Sequence, residues 1–273
     1  MMAAKNETAA ILGGGNIGSA IAKGLVRSEV FKAQDITVTR RNKDLLKSFE
    51  GEGFGVEVNN SAAVSKSDII IIAVTPQQLD GLLSEIKDSL DEKRHTVISV
   101  VSGASILEIR RKIENNNIPV LRAMPNTAIA IRESMTCICA DETSKGGLEM
   151  TKRIFESVGK VLTIDESLMV PATALCACGI AFFLRAIRAA SQGGIEIGFH
   201  AEDALLMAAQ TAKGAASLLV DLGSHPEKEV DKVTTPQGCT IAGLNQMEHH
   251  GFSSALIKGI TSSAEKAAKL YSK

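Results

Sequence analysis

Gly13-x-Gly15-x-x-Gly18 is the first set of residues whose types and spacing imply chemistry. It separates a short β-type apolar run, residues 8–12, from an amphipathic pattern carried by Ile17, Ala20, Ile21, Gly24 and Leu25. At a strand-to-helix junction such glycines serve a dinucleotide. Gly13 permits the tight turn, Gly15 lets the backbone approach a pyrophosphate, and Gly18 lets helix pack on strand. The helix opening at Asn16 and Ile17 adds unpaired N–H groups and a positive dipole end. The plain alternative is a glycine turn with no ligand. The next strand ends Val38-Thr39-Arg40-Arg41, where an NAD site usually places Asp or Glu on the ribose hydroxyls. Two guanidiniums suit a 2′-phosphate, so NADP(H) is the predicted cofactor, NADPH preferred and NADH possible. A solvated arginine pair is the alternative.

These residues need a scaffold, and the hydropathy pattern supplies one. Residues 35–39 alternate as a strand, 44–50 read as helix, and the Ile-rich run 68–74 reads as a strand buried on both faces. Pro76 suits the first turn of the next helix. Strands follow at 96–101, 119–124, 135–139 and 160–164, with helices near 104–114 and 145–158. Alternating strands and helices predict a doubly wound parallel sheet. The alternation stops near Asp165. Residues 168–199, 202–222, 240–249 and 253–270 read as helices, so an all-α domain is expected over 166–273 after a cofactor domain over 1–165. Leu205, Leu206, Met207, Ala208 and Ala209, then Leu218, Leu219 and Val220, make its helices apolar on more than one face. Such helices must be buried on several sides, which predicts an oligomer interface; a compact monomeric bundle is the alternative.

Composition removes other classes. The 273 residues carry a formal charge of −1, with no Trp, one Tyr and eight Phe. Near-neutrality opposes a phosphate-backbone binder, and scarce aromatics oppose base stacking, so no nucleic-acid partner is expected. No apolar run is expected to approach the roughly 20 residues that span a bilayer. The N-terminal residues 1–7 are polar, and a cytoplasmic location is expected. The five cysteines include Cys137-x-Cys139 and Cys176-x-Cys178. Neither pair has zinc-ribbon spacing, the five histidines are scattered, and no metal is expected.

Four further segments carry a resemblance. Ile11-Leu12-Gly13-Gly14-Gly15-Asn16-Ile17-Gly18, Ala73-Val74-Thr75-Pro76-Gln77 and Arg122-Ala123-Met124-Pro125-Asn126-Thr127 resemble the pyrroline-5-carboxylate reductase family. So does Val233-Thr234-Thr235-Pro236-Gln237-Gly238-Cys239-Thr240-Ile241-Ala242-Gly243-Leu244, the most specific match. The resemblance covers nearly the whole chain. It implies an α/β Rossmann-type domain, an all-α dimerisation domain, and NAD(P)H reduction of the cyclic imine Δ1-pyrroline-5-carboxylate to L-proline. Homo-oligomers form through the C-terminal helices, with the active site near the dimer interface. By resemblance the cofactor meets Gly13, Gly15, Asn16, Ile17, Gly18, Arg40, Arg41, Asn60, Ala73, Val74, Thr75 and Pro76, with Met124, Pro125 and Asn126 close to the nicotinamide. The family commonly has Lys at Thr75, Pro at Ala128 and Gly at Gln237, and reads Ser-Gly-Ser-Gly-Pro where this chain has Cys176-Ala177-Cys178-Gly179-Ile180.

Imine reduction asks for positioning, carboxylate binding and a hydrogen bond to the ring nitrogen. The segment Gln237, Gly238, Cys239, Thr240 opens a helix whose N–H groups can hold a carboxylate. Thr235 can add a hydroxyl. Thr240 is the family's matched hydroxyl near the substrate nitrogen and the expected catalytic group; N-capping is the alternative for either threonine. Two other functions remain open: another NADP-dependent imine or hydroxyacid oxidoreductase of the same architecture, or a non-catalytic NADP-binding dimer. Residues 171–200 contain no Lys, which opposes a hydroxyacid dehydrogenase.

Overall fold

A computed structural model describes residues 7–271. The polar N-terminus before Glu7 and the extreme C-terminus of the predicted second domain lie outside the described residues. Contacts divide the chain into two compact units, 1–178 with 263–273, and 179–262.

The first unit is built on an eight-stranded sheet of order β3-β2-β1-β4-β5-β6-β7-β8. The strands are β1 (Ala9–Leu12), β2 (Ile36–Thr39), β3 (Gly55–Glu57), β4 (Ile69–Ile72), β5 (Thr96–Ser99), β6 (Val120–Met124), β7 (Ser134–Ala140) and β8 (Gly159–Thr163). Successive side chains of a strand point to opposite faces. Ile11, Ile36, Val38 and Ile71 accordingly join one core layer, and Leu12, Ile70, Ile72 and Val97 the other. Helix α1 (Asn16–Arg27) covers the first layer with Ala20, Ile21 and Leu25. After α2 (Lys47–Gly51) and α3 (Asn60–Ser65) comes α4 (Pro76–Ile86), which covers the second with Leu79, Leu83 and Ile86. Local chemistry starts these helices. The Asn59 side chain accepts from Ala62 N at 2.8 Å, and Pro76 stands at the first position of α4 behind a Thr75/Gln78 capping box.

Two expectations need correction. The sheet is not wholly parallel: β7 runs antiparallel to β6, with Met124 opposite Cys137. The link over 125–133 holds only a short 3-10 turn, Thr127–Ile131. A parallel crossover needs a dozen or more residues, roughly one helix, so this link can only return the chain. Second, one helical run, Glu166–Glu196, is long and apolar enough by length and composition to cross a membrane. Residues 167–184 carry no charge. The run stays helical through α7 (Met169–Ala172), a π-helical turn (Thr173–Cys178) and α8 (Gly179–Glu196), so Pro171 and Gly179 do not interrupt it. The short edge strand β3 carries too few residues to show a period. Helices α5 (Ile106–Ile113) and α6 (Leu148–Glu156) fall inside their predicted spans. Residues 166–178, predicted to open the helical domain, belong to the first unit, where Met169 and Ala172 enter its core.

The second unit holds α8, α9 (Ala201–Leu222), α10 (Pro226–Lys232), α11 (Cys239–His249) and most of α12 (Phe252–Ala267). Within it α8 and α9 pack closely, a Cβ on Gly194 lying 3.0 Å from Ala204 Cβ. Only Gly179, Ser191 and Ala204 of this unit are buried. Ile197 is 78% exposed, and Leu206 and Leu222 are each 69% exposed. An apolar surface of this extent is normally covered by a partner.

Candidate functional site

The C-terminal ends of β1, β2 and β4 open into a groove of about 670 Å³. Such ends, beside a reversal of strand order, are where open α/β sheets bind ligands. Of the residues singled out in the sequence, Gly13, Gly15, Arg40, Arg41, Asn60, Ala73, Val74 and Thr75 line it. Asn16, Ile17 and Gly18 form the first turn of α1, and Pro76 the first residue of α4, without lining the groove. Met124 and Pro125 are buried at the end of β6, and Asn126 caps the following 3-10 turn; the groove does not include them.

The glycines have separable tasks. Gly13 has φ +110°, and a Cβ there would lie 2.6 Å from Ala73 O. At Gly18 it would lie 2.0 Å from Gly13 O, so the close approach of α1 to the loop requires glycine. At Gly15 it would meet nothing within 4 Å. Gly15 is therefore not required by packing; its missing side chain leaves space at the N-terminus of α1. That space, between backbone N–H groups and two arginines, fits a dinucleotide's phosphates.

A hydrogen-bond chain fixes the loop. Gly14 N donates to Thr39 O (2.8 Å), and Gly13 N to Thr39 Oγ1 (3.2 Å). The Thr39 hydroxyl donates to Asn60 Oδ1 (2.6 Å), while Asn60 N and Nδ2 donate to the Glu85 carboxylate at 3.0 and 2.9 Å. Asn60 is thus oriented from both sides, with one amide hydrogen left for the groove. Neither Arg40 nor Arg41 has a carboxylate partner among the described residues. Thr39, Asn42, Val58, Gln77, Gln78, Gly81, Leu82 and Glu85 also line the groove and were missed. Helical spacing of Gln78, Gly81, Leu82 and Glu85 on α4, once Pro76 had placed its start, was the available signal.

In the second unit Thr235, Gln237, Gly238, Cys239 and Thr240 lie together at the start of α11, with Gly238 as its N-cap. No side chain caps this helix, and neither Thr235 nor Thr240 makes a side-chain hydrogen bond among the described residues. The capping alternative therefore has no contact behind it. Gly238 N donates to Thr235 O at 2.9 Å, and a Cβ on Gly238 would lie 2.5 Å from Thr235 Oγ1. Gln237 has φ +58°, the left-handed conformation that glycine adopts at least cost.

Comparison with known proteins follows this geometry. Residues 166–270 match the family described as pyrroline-5-carboxylate reductase dimerisation, and residues 8–103 match NADP oxidoreductase, coenzyme F420-dependent. Pyrroline-5-carboxylate reductase 2 of Dictyostelium discoideum is 50% identical over 97% of this chain and 93% of its own length. The chain belongs to the pyrroline-5-carboxylate reductase family. Reductase 1 of the same organism is 57% identical over 96% of this chain, which spans about half, 49%, of that longer relative. The solved reductase of Coxiella burnetii shares 27% identity at a TM-score of 0.87, covering 98% of this chain and 100% of that one. A Plasmodium falciparum reductase solved with NADP bound shares the fold, with TM-score 0.89, 24% identity, and coverage of 98% and 99%. The two matched spans fall mainly in different units, 8–103 in the first and most of 166–270 in the second.

Proposed function

We propose that this chain reduces Δ1-pyrroline-5-carboxylate to L-proline with NADPH, working as a homo-oligomer through its C-terminal helices. The observation that carries the reading is the half identity to a named reductase over nearly both full lengths. The groove supports it chemically, with an open cradle at Gly15 and two unpartnered arginines at its rim. In this reading residues 1–165 hold the cofactor, and 166–273 supply the dimer and the substrate site. The dinucleotide, when bound, supplies the hydride.

The chain's own residues do the rest. Gly15, Asn16, Ile17 and Gly18 present N–H groups to the pyrophosphate, and Gly13, its own N–H held by Thr39 Oγ1, makes the turn that aims them. Arg40 and Arg41 pair with the 2′-phosphate, and Asn60 offers its remaining amide hydrogen to the ribose side. Ala73, Val74, Thr75 and Pro76 form the wall after β4, and Met124, Pro125 and Asn126 set the nicotinamide end. At the start of α11, Gln237, Gly238 and Cys239 offer N–H groups to the imine acid's carboxylate, with the Thr235 hydroxyl beside them. The Thr240 hydroxyl hydrogen-bonds the ring nitrogen. The five free thiols support a reducing, cytoplasmic compartment.

The test is NADPH oxidation with pyrroline-5-carboxylate, with proline identified as product. Thr240→Ala is expected to lower kcat/KM by at least about tenfold, the worth of one hydrogen bond to a charged group, at unchanged Tm. An unchanged rate removes Thr240 from the mechanism. Turnover confined to a different cyclic imine would move the enzyme to a neighbouring specificity.

A further inference from the structure

The two Cys-x-Cys motifs, far apart in sequence, meet in the first unit. Cys137 is on β7, opposite Met124 of β6, and Cys176 is in the π-helical turn. Their Sγ atoms are 3.9 Å apart, and all five cysteines are free thiols. From this contact we propose that Cys137 and Cys176 form a dithiol modification site. A low-molecular-weight disulfide such as oxidised glutathione would convert it to an intramolecular disulfide.

The two thiols are suited to different steps. Cys176 is half-buried and the more accessible of the two to a small reagent, whereas Cys137 is 4% exposed. Once Cys176 is a thiolate it can accept from the Cys137 thiol, and this lowers the Cys176 pKa to about 7, while the same contact and burial raise Cys137. Thiolate is the attacking form, so Cys176 acts first. Its thiolate attacks one sulfur of the small disulfide and expels a thiolate, leaving a mixed disulfide on Cys176. Cys137, giving up its proton, then attacks Cys176 Sγ and expels the second thiolate. The protein loses two electrons and two protons, and the small disulfide is reduced to two thiols.

Cys139 and Cys178 flank the pair without joining it. Cys139 is buried, and burial raises its pKa to about 11. Bond formation closes 3.9 Å to about 2.05 Å, by rotation of the two side chains and whatever shift of β7 and the π-helical turn the bond's geometry requires. The Cys176 carbonyl accepts Asn126 Nδ2 at 3.4 Å, and Asn126 in turn holds Ala128 N through Oδ1 at 3.0 Å. These bonds connect the Cys176 backbone to the turn after β6, the route by which oxidation would reach it. The expected effect on turnover rests on the proposed function, which sets Asn126 near the nicotinamide; the bond itself does not.

The test exposes the full-length protein to graded ratios of reduced and oxidised glutathione, followed by intact-mass measurement and peptide mapping. One Cys137–Cys176 bridge is expected, with the loss of two hydrogen atoms, reversed by dithiothreitol. Cys137→Ser should stop at a glutathione adduct on Cys176, and Cys176→Ser should form neither adduct nor bridge at this site. A bridge using Cys139, Cys178 or Cys239, or glutathione on Cys137 first, overturns the proposal. So does the absence of both products at oxidising ratios. In the imine assay the bridged enzyme should be several-fold slower and recover on reduction. If neither form turns over pyrroline-5-carboxylate, the proposed function fails while the mapping still decides the dithiol.

Discussion

Gly15→Ala and Gly18→Ala each add one methyl and should fail in different ways. Gly15 has φ −74° and ψ −163°, extended backbone open to any residue, and its Cβ would meet nothing within 4 Å. Restricting the unfolded chain stabilises by about 0.4–1 kcal/mol, and alanine's poorer N-capping costs about 0.5–1 kcal/mol. The net change should stay within about 1 kcal/mol, at most a few degrees in Tm. The same methyl fills the space in which a pyrophosphate would meet the first N–H groups of α1. Losing one hydrogen bond to a charged group costs about 1.5–3 kcal/mol, so the Kd for NADPH should rise about ten- to hundredfold. At Gly18 the methyl would stand 2.0 Å from Gly13 O, against an ordinary carbon–oxygen contact of about 3.3 Å. Helix α1 would have to retreat by roughly an ångström, and overpacking of this kind costs about 1–3 kcal/mol or more. Quenching of NADPH fluorescence and thermal melts on both variants separate the cases. Wild-type NADPH affinity in Gly15→Ala would refute the cradle, and a wild-type Tm in Gly18→Ala would refute the packing argument.

Four other outcomes follow from the same geometry. Arg40→Ser with Arg41→Ser should raise KM for NADPH at least about tenfold while leaving KM for NADH nearly unchanged, since a hydrogen bond between charged groups is worth about 1.5–3 kcal/mol; equal effects on both cofactors would dismiss the 2′-phosphate role. Gln237→Gly should stabilise the protein by about 0.5–1 kcal/mol in denaturant titration, because a left-handed φ of +58° costs a side chain about 1–2 kcal/mol and glycine returns part of that as chain entropy. Arg110, buried, donates to Asp141 at 2.8 Å, and that bond holds the Asp141 carboxyl below its ordinary pKa. Asp141→Asn should therefore cost about 2 kcal/mol at neutral pH, less than a fully buried pair because Asp141 is partly exposed; the gap from wild type should be full above about pH 4 and close as pH falls through the depressed Asp141 pKa. If the proposed assembly forms through these helices, Leu206→Asp should shift the chain to smaller species in light scattering, because Leu206 is 69% exposed in the single chain and an interface would have to bury the new charge.

Much of the site was legible because it is local. Gly13, Gly15 and Gly18 occupy one strand-to-helix turn, and the conformation of such a turn depends on residues a few positions apart. Thr39 escaped notice because its part is to link Gly13 N to Asn60 across two strands, a relation with no sequence spacing. Glu85 shares a helical spacing with Gln78, Gly81 and Leu82, but its bond to Asn60 does not show in that spacing. It reads as one more charge on an exposed helix face until α4 is laid beside α3.

By itself the sequence determined where strands and helices alternate, where the alternation stops, which loop carries the glycines, and which cation pair follows the second strand. These are properties of period, backbone freedom and charge, and they act over a few residues. The tertiary structure alone decided three things. It reversed β7, because the link after β6 is too short to cross over. It distinguished Gly15, which leaves space, from Gly18, which permits contact, because that depends on what faces each absent Cβ. And it brought Cys137 to Cys176, 39 positions apart, since the distance between two thiols is fixed by how strand and helix pack and not by the chain between them.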